Sequence, residues 1–142
     1  MLLPQTAEYA LRAMAVLGRS GPVSRVGGAE LAAAAHVPPA YLAKIMRRLV
    51  VAGLVQARRG RGGGFALRVA PERVRVADVL AAVDVLDEPR RCAFGWAACR
   101  DDRPCPLHPA GKALRERVEE WAGATRLSDL SGAPRRRGGA TP

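Results

Sequence analysis

The sequence predicts a small, mainly α-helical protein that carries one β-hairpin and ends in a long helix. Three observations predict it. Apolar residues recur at helical spacing through the first fifty residues, and Leu42, Ile45, Met46 and Leu49 share one face at about 100° per residue. This periodicity stops at Ala52-Gly53, after which two short runs, Leu54 to Arg58 and Phe65 to Val69, flank a tip of glycine and arginine. Only 4% of the 142 residues are aromatic, so the core must be mostly alanine, leucine and valine, a composition that favours packed helices.

Taken in order, Ala7, Ala10, Leu11, Met14, Leu17 and Gly18 space a first helix over roughly Gln5 to Arg19, closed by Gly21-Pro22. An alanine-rich helix, Glu30 to Ala35, follows within Val26 to Val37. A turn at His36-Val37-Pro38 leads into the third helix, which buries the Leu42 stripe and turns Tyr41, Lys44, Arg47 and Arg48 the other way. Two helices joined by a tight turn, the second with its cations outward, form a helix-turn-helix, and the hairpin behind makes it winged. The tip, Arg59 to Gly64 (RGRGGG), replaces side-chain bulk with close backbone approach, and Arg58, Arg59 and Arg61 supply charge. Such a tip can carry arginines into a narrow anionic groove.

Pro71 breaks the chain after the wing. Val76 to Val85 reads as a short helix and Leu86 to Pro106 as a loop rich in proline, arginine and cysteine. Beyond it, Leu107, Gly111, Leu114, Val118, Trp121 and Thr125 alternate spacings of four and three, a heptad seam between charged flanks. A stripe of this kind needs cover, from the rest of its own domain or most simply from its copy in a second chain. From Ser131 on, glycine, proline and the run Arg135 to Arg137 read as a disordered basic tail. The expected organisation is a winged helix-turn-helix domain at 1–75, a cysteine loop with a dimerisation helix at 76–130, and the tail at 131–142.

Charge indicates the partner. The formal net charge is +10, and residues 1–75 hold twelve lysines and arginines against three acids, while residues 76–142 hold eleven against ten. The excess lies where the helix and hairpin lie, as a phosphate-binding module requires. The longest stretch without a charged residue, Leu31 to Ala43, is interrupted by two prolines, so no membrane span is expected. The start of the chain lacks the pattern of a signal peptide, and a cytoplasmic location is expected. With two histidines, His36 and His108, no base–nucleophile pairing is evident, and the glycine run lies in a hairpin rather than before a helix, so no enzyme is expected.

Cys92, Cys99 and Cys105 are separated by six and five residues, and His108 stands three past the last. An odd count argues against a closed disulfide framework and, in a reducing compartment, for metal or thiol chemistry. The paired C-x2-C knuckles of zinc ribbons are missing. Wider spacing wraps something larger than one ion, and three thiolates with one further ligand suit an iron–sulfur cluster. Buried structural cysteines are the alternative.

Glu8 to Arg12 (EYALR), Tyr41-Leu42 with Ala52 to Val55 (AGLV), Arg59-Gly60 with Gly62 to Phe65 (GGGF), and the three-cysteine loop together resemble the Rrf2 family of bacterial winged-helix regulators, over about Leu2 to Leu130. The resemblance implies a homodimeric DNA-binding transcriptional regulator, expected to be a repressor. In it a [2Fe-2S] or [4Fe-4S] cluster would report redox state, nitric oxide or iron supply. Cys92, Cys99 and Cys105 fall on the family's ligand positions, and the fourth ligand is His108 or, from across the dimer, Glu8. Tyr41 and Lys44 match recognition-helix positions, and Arg59 with Gly62, Gly63 and Gly64 matches the wing. Arg61 stands where many members have proline.

On this view each subunit sets the Tyr41, Lys44 and Arg48 face in a major groove and the Arg59/Arg61 tip in the adjoining minor groove. A two-fold dimer then reads a pseudo-palindrome with half-sites roughly 10 bp apart in double-stranded DNA. Two other readings share the same head: a cluster-free sensor whose thiols form a disulfide or bind zinc, and a constitutive DNA binder with structural cysteines.

Overall fold

The computed structural model describes residues 3–21, 23–83, 85, 92 and 94–132. The central element is α1 (Gln5–Ser20), whose buried Ala7, Ala10, Ala13, Met14 and Leu17 face four other helices and the wing. Helix α2 (Gly28–Ala35) ends at His36, which adopts the left-handed conformation (φ 54°), and the Val37 N–H closes the turn on the Ala32 carbonyl at 3.0 Å. Helix α3 (Pro39–Val51) begins one residue earlier than the pattern suggests because Pro39 is already set at a helical φ and needs no amide partner. Its Leu42, Ile45, Met46 and Leu49 are all buried, as the spacing predicts.

Strands β1 (Val55–Arg58) and β2 (Gly64–Leu67) pair antiparallel, Val55 opposite Leu67 and Arg58 opposite Gly64. On its other edge β2 is held by Val26, which exchanges both backbone hydrogen bonds with Phe65 at 2.8 Å. The hairpin is therefore fastened to the segment before α2 instead of projecting freely. A 3₁₀ turn (Pro71–Arg73) leads to α4 (Val76–Ala82), shorter than the expected Val76 to Val85 because Val83 leaves helical geometry. The Val85 N–H then bonds the Leu80 carbonyl, five residues back.

Helix α5 (His108–Ala124) is the long C-terminal helix, and Ala122 is its one buried residue. The seam residues Leu107, Leu114 and Trp121 are 53%, 55% and 43% exposed. After α5 the backbone of Thr125 to Leu127 pairs with Val74 to Val76 through two hydrogen bonds of 2.8–2.9 Å. A short helix that the pattern does not announce, α6 (Leu127–Ser131), lays Leu127 into the core beside Gly18 of α1. Ser131, expected to open the tail, is thus the last residue of a helix. The remainder of that tail, from 133, and residues 86–91 of the expected loop lie outside the described residues. No described helix is long and apolar enough to cross a membrane.

Candidate functional site

Between Glu30 and Glu72 the chain has no acidic residue but contains Lys44, Arg47, Arg48, Arg58, Arg59, Arg61 and Arg68, every one of them exposed. The fold collects these cations on α3 and the wing. Tyr41, Lys44 and Arg47 stand on the open side of α3, while Arg48 reaches sideways, its Nη1 donating to the Val83 carbonyl at 3.2 Å. That bond ties the third helix to the end of α4, where the cysteine loop begins. Tyr41 meets the Tyr9 ring edge-on at 6.0 Å, and the Arg12 guanidinium lies 5.4 Å from the Tyr9 centroid. Arg12 also donates to the His36 carbonyl at 3.2 Å and pairs with Glu8 at 3.6 Å. Helix α1 and the α2–α3 turn therefore brace the aromatic at the head of α3, a role for Tyr9 and Arg12 that sequence reasoning did not assign.

In the wing, Arg58, Arg59 and Arg61 are exposed at the tip. The glycines behind them serve the wing's own closure. A Cβ on Gly63 would collide with the Arg58 carbonyl oxygen, and at Gly64 (φ +127°) it would sit 2.5 Å from the Val26 oxygen. The close approach that these residues permit is to their own chain, and it sets the arginines' bearing.

All three cysteines are free thiols. Cys92 and Cys105 are buried. The Phe94 backbone, with help from the Cys105 side chain and the Trp96 backbone, holds the Cys92 thiol below its ordinary range, against burial, which pushes it up. Cys99 faces His108, Sγ to Nδ1 3.1 Å, and the opposite ring nitrogen of His108 lies 2.8 Å from Asp101 Oδ1. Lys112 Nζ reaches the same oxygen at 3.2 Å, and His108 and Lys112 together lower the Asp101 carboxyl. The absence of any base beside a nucleophile, expected from spacing, is corrected here, because the chain turn from Cys99 to His108 brings thiol and imidazole together. Asp101 and Lys112 carry no spacing signal that would have marked them.

Cys99, Cys105, His108 and Lys112 line one side of a cleft of about 370 Å³ between the loop and the first turns of α5. The donors fit an iron–sulfur group in kind and number: three free sulfurs, one eased toward thiolate, and an imidazole within reach of the third. They come as two pairs, Cys92 with Cys105 and Cys99 with His108, and among the described residues no three such donors converge on a single-ion site. Glu8, the other fourth-ligand candidate, is engaged by Arg12 on α1.

The model of the Rrf2 family, described as an iron-dependent transcriptional regulator, matches residues 3–133. The HTH-type transcriptional regulator IscR of Xenorhabdus nematophila is 32% identical over 133 residues, covering 92% of this chain and 79% of that protein. A Mycobacterium tuberculosis protein described as an HTH-type transcriptional regulator is 38% identical over 133 residues, 93% of this chain and 82% of its own. Among solved structures, CymR, the global cysteine regulator of B. subtilis, superposes with a TM-score of 0.73 at 22% identity over 94% of this chain and 98% of its own. T. potens IscR gives 0.71 at 20% identity over 99% and 94%. At these identities the two structures speak for the fold alone.

Proposed function

Since the chain belongs to the Rrf2 family, and is therefore a DNA-binding transcriptional regulator with a winged helix and not an enzyme, we propose that it is a homodimeric repressor whose grip on its operator is set by an iron–sulfur cluster. Cys92, Cys99 and Cys105 would hold the cluster, with His108 as the fourth ligand in preference to Glu8. The observation that carries this reading is the 3.1 Å approach of His108 Nδ1 to Cys99 Sγ in a loop that also holds the free, buried Cys92 and Cys105. Asp101 orients the imidazole by accepting from its far nitrogen, as second partners of ligating histidines do. When bound, the cluster supplies a centre that changes charge on oxidation or reacts with nitric oxide.

The chain's own residues give that centre two routes to DNA. Arg48 holds the root of the cysteine loop at Val83, and α5, which starts at His108, is pinned at its far end to Val74 to Val76, just behind the wing. The exposed Leu107, Leu114 and Trp121 offer the face on which two copies pair. Tyr41, Lys44 and Arg47 then meet a major groove and Arg59 and Arg61 the neighbouring minor groove, with the wing turned on Gly62 and Gly63, while Arg48, expected from spacing to join them, stays on the Val83 carbonyl. Lysine and arginine on phosphate make the affinity steeply salt-dependent.

The test is protein purified without oxygen. Visible absorption with matching iron and acid-labile sulfide, lost in Cys99→Ala and weakened in His108→Ala but not in Glu8→Gln, is expected. A colourless protein that carries zinc or a disulfide would replace the cluster by the thiol or zinc sensor.

A further inference from the structure

Taking α3 as the reading helix, as above, the geometry points to a preference for keto bases: the outward strip of α3 reads guanine and thymine on one strand of each half-site. The buried stripe of Leu42, Ile45, Met46 and Leu49 fixes how the helix is rotated. At about 100° per residue, Ala40, Lys44, Arg47 and Val51 point directly away from it, and Ala43 lies on one shoulder. All five are exposed, Val51 at 84%.

Chemically the strip holds donors and alkyl groups only. In the major groove guanine presents two acceptors, N7 and O6, and thymine presents the O4 acceptor beside its methyl group. Cytosine presents an amino donor, and adenine an amino donor next to N7. A strip without a carboxylate or amide has nothing to accept from the amino groups of cytosine or adenine. Lys44 and Arg47 can donate to guanine O6 and N7, and the methyls of Ala40 and Ala43 can pack on thymine C5-methyl. Their size matters, because Ala40 is in the first turn, next to Pro39, where a bulky side chain would hold the helix end away from the base edges. The absence of acid continues from Glu30 to Glu72, so the flanking turn and the wing add no carboxylate, and their one side-chain amide, Gln56, lies on β1 and not on α3. Tyr41, whose hydroxyl can both donate and accept, sits on the other shoulder with its ring against Tyr9.

The experiment is selection of bound duplexes from a random library with the full chain at fixed salt, followed by base analogues in the selected site. Half-sites rich in guanine and thymine on one strand are expected. Replacing their thymines by uracil removes only the methyl and should weaken binding about threefold or more. Replacing guanine by 7-deazaguanine removes only N7 and should weaken it further. In Ala40→Gly/Ala43→Gly the uracil effect should vanish while the 7-deazaguanine effect stays, and Lys44→Ala/Arg47→Ala should do the reverse. If the double glycine variant does not fold, the analogues on the wild-type chain decide alone. Selected half-sites in which neither strand is enriched in guanine and thymine, or uracil sites bound as tightly as thymine sites, would overturn the keto preference. Tight binding without any sequence enrichment would count against α3 as the reading helix.

Discussion

From α1 to β2 each element buries leucine, valine or methionine against its neighbours, whereas α5, seventeen residues long, buries Ala122 and leaves Leu107, Leu114 and Trp121 about half in water. The cysteine loop that precedes it contributes two buried sulfurs and two exposed rings, Phe94 and Trp96. The first region carries its own stability in an apolar core, and its cations ride on that rigid base. In the second region large apolar groups stand about half in water. The contrast teaches that the winged-helix half is packed within one chain, whereas the long C-terminal helix leaves its apolar stripe to solvent, which is why the proposed pairing of two copies and the proposed cluster are placed there.

The sharpest way to break this contrast is a matched pair of truncations. Leu49→Ala, at a fully buried site on α3, should cost about 3 kcal/mol of unfolding free energy in a urea titration. Leu114→Ala, at a 55% exposed site on α5, should change it by less than about 0.5 kcal/mol at low protein concentration, yet weaken self-association in sedimentation. Equal destabilisation by the two would mean that the arm is as self-sufficient as the head. Next in size, Gly64→Ala should cost about 1–3 kcal/mol, because its backbone lies at φ +127° and its new methyl would meet the Val26 carbonyl. A melt unchanged by that substitution would remove the wing from the folded core.

Smaller in energy but more specific, Arg59→Ala with Arg61→Ala should lower DNA affinity about tenfold or more without altering the melt. The salt dependence of log K should become shallower by about one unit for each phosphate that the wing no longer neutralises. An unaltered slope would move the wing off the DNA. Smallest of all, Arg48→Ala removes the hydrogen bond to the Val83 carbonyl, about 1 kcal/mol, and should speed amide exchange at the end of α4 more than in the rest of α3.

The head was legible in the sequence because its signals are local. Periodicity marked α1 and α3, the His36-Val37-Pro38 turn set the joint between α2 and α3, and the glycine run announced the hairpin. What pattern could not show depends on residues distant along the chain. Val26 closes the edge of β2 from thirty-nine positions away from Phe65. Leu127 makes α6 worth forming only because Gly18 leaves room for it on α1. Arg48 stands among outward cations by spacing, and its length carries it to Val83. In the cysteine loop the residue types announced soft-donor chemistry, but the grouping into Cys92 with Cys105 and Cys99 with His108 arises from the path of the chain, as does the Asp101–Lys112 support. The wing glycines were visible as glycines, and their service to the wing's own closure became visible only with Val26 in place.

One coupling underlies the proposed regulation, between the donors of the cysteine loop and the grip of the head on DNA. The direct measurement is operator affinity at one salt concentration, on protein purified without oxygen, for the iron-loaded and the iron-free forms of the same preparation. A difference of about tenfold, some 1.4 kcal/mol, that collapses in Cys99→Ala is the expected result. Equal affinities in two forms whose iron and sulfide contents demonstrably differ would contradict it.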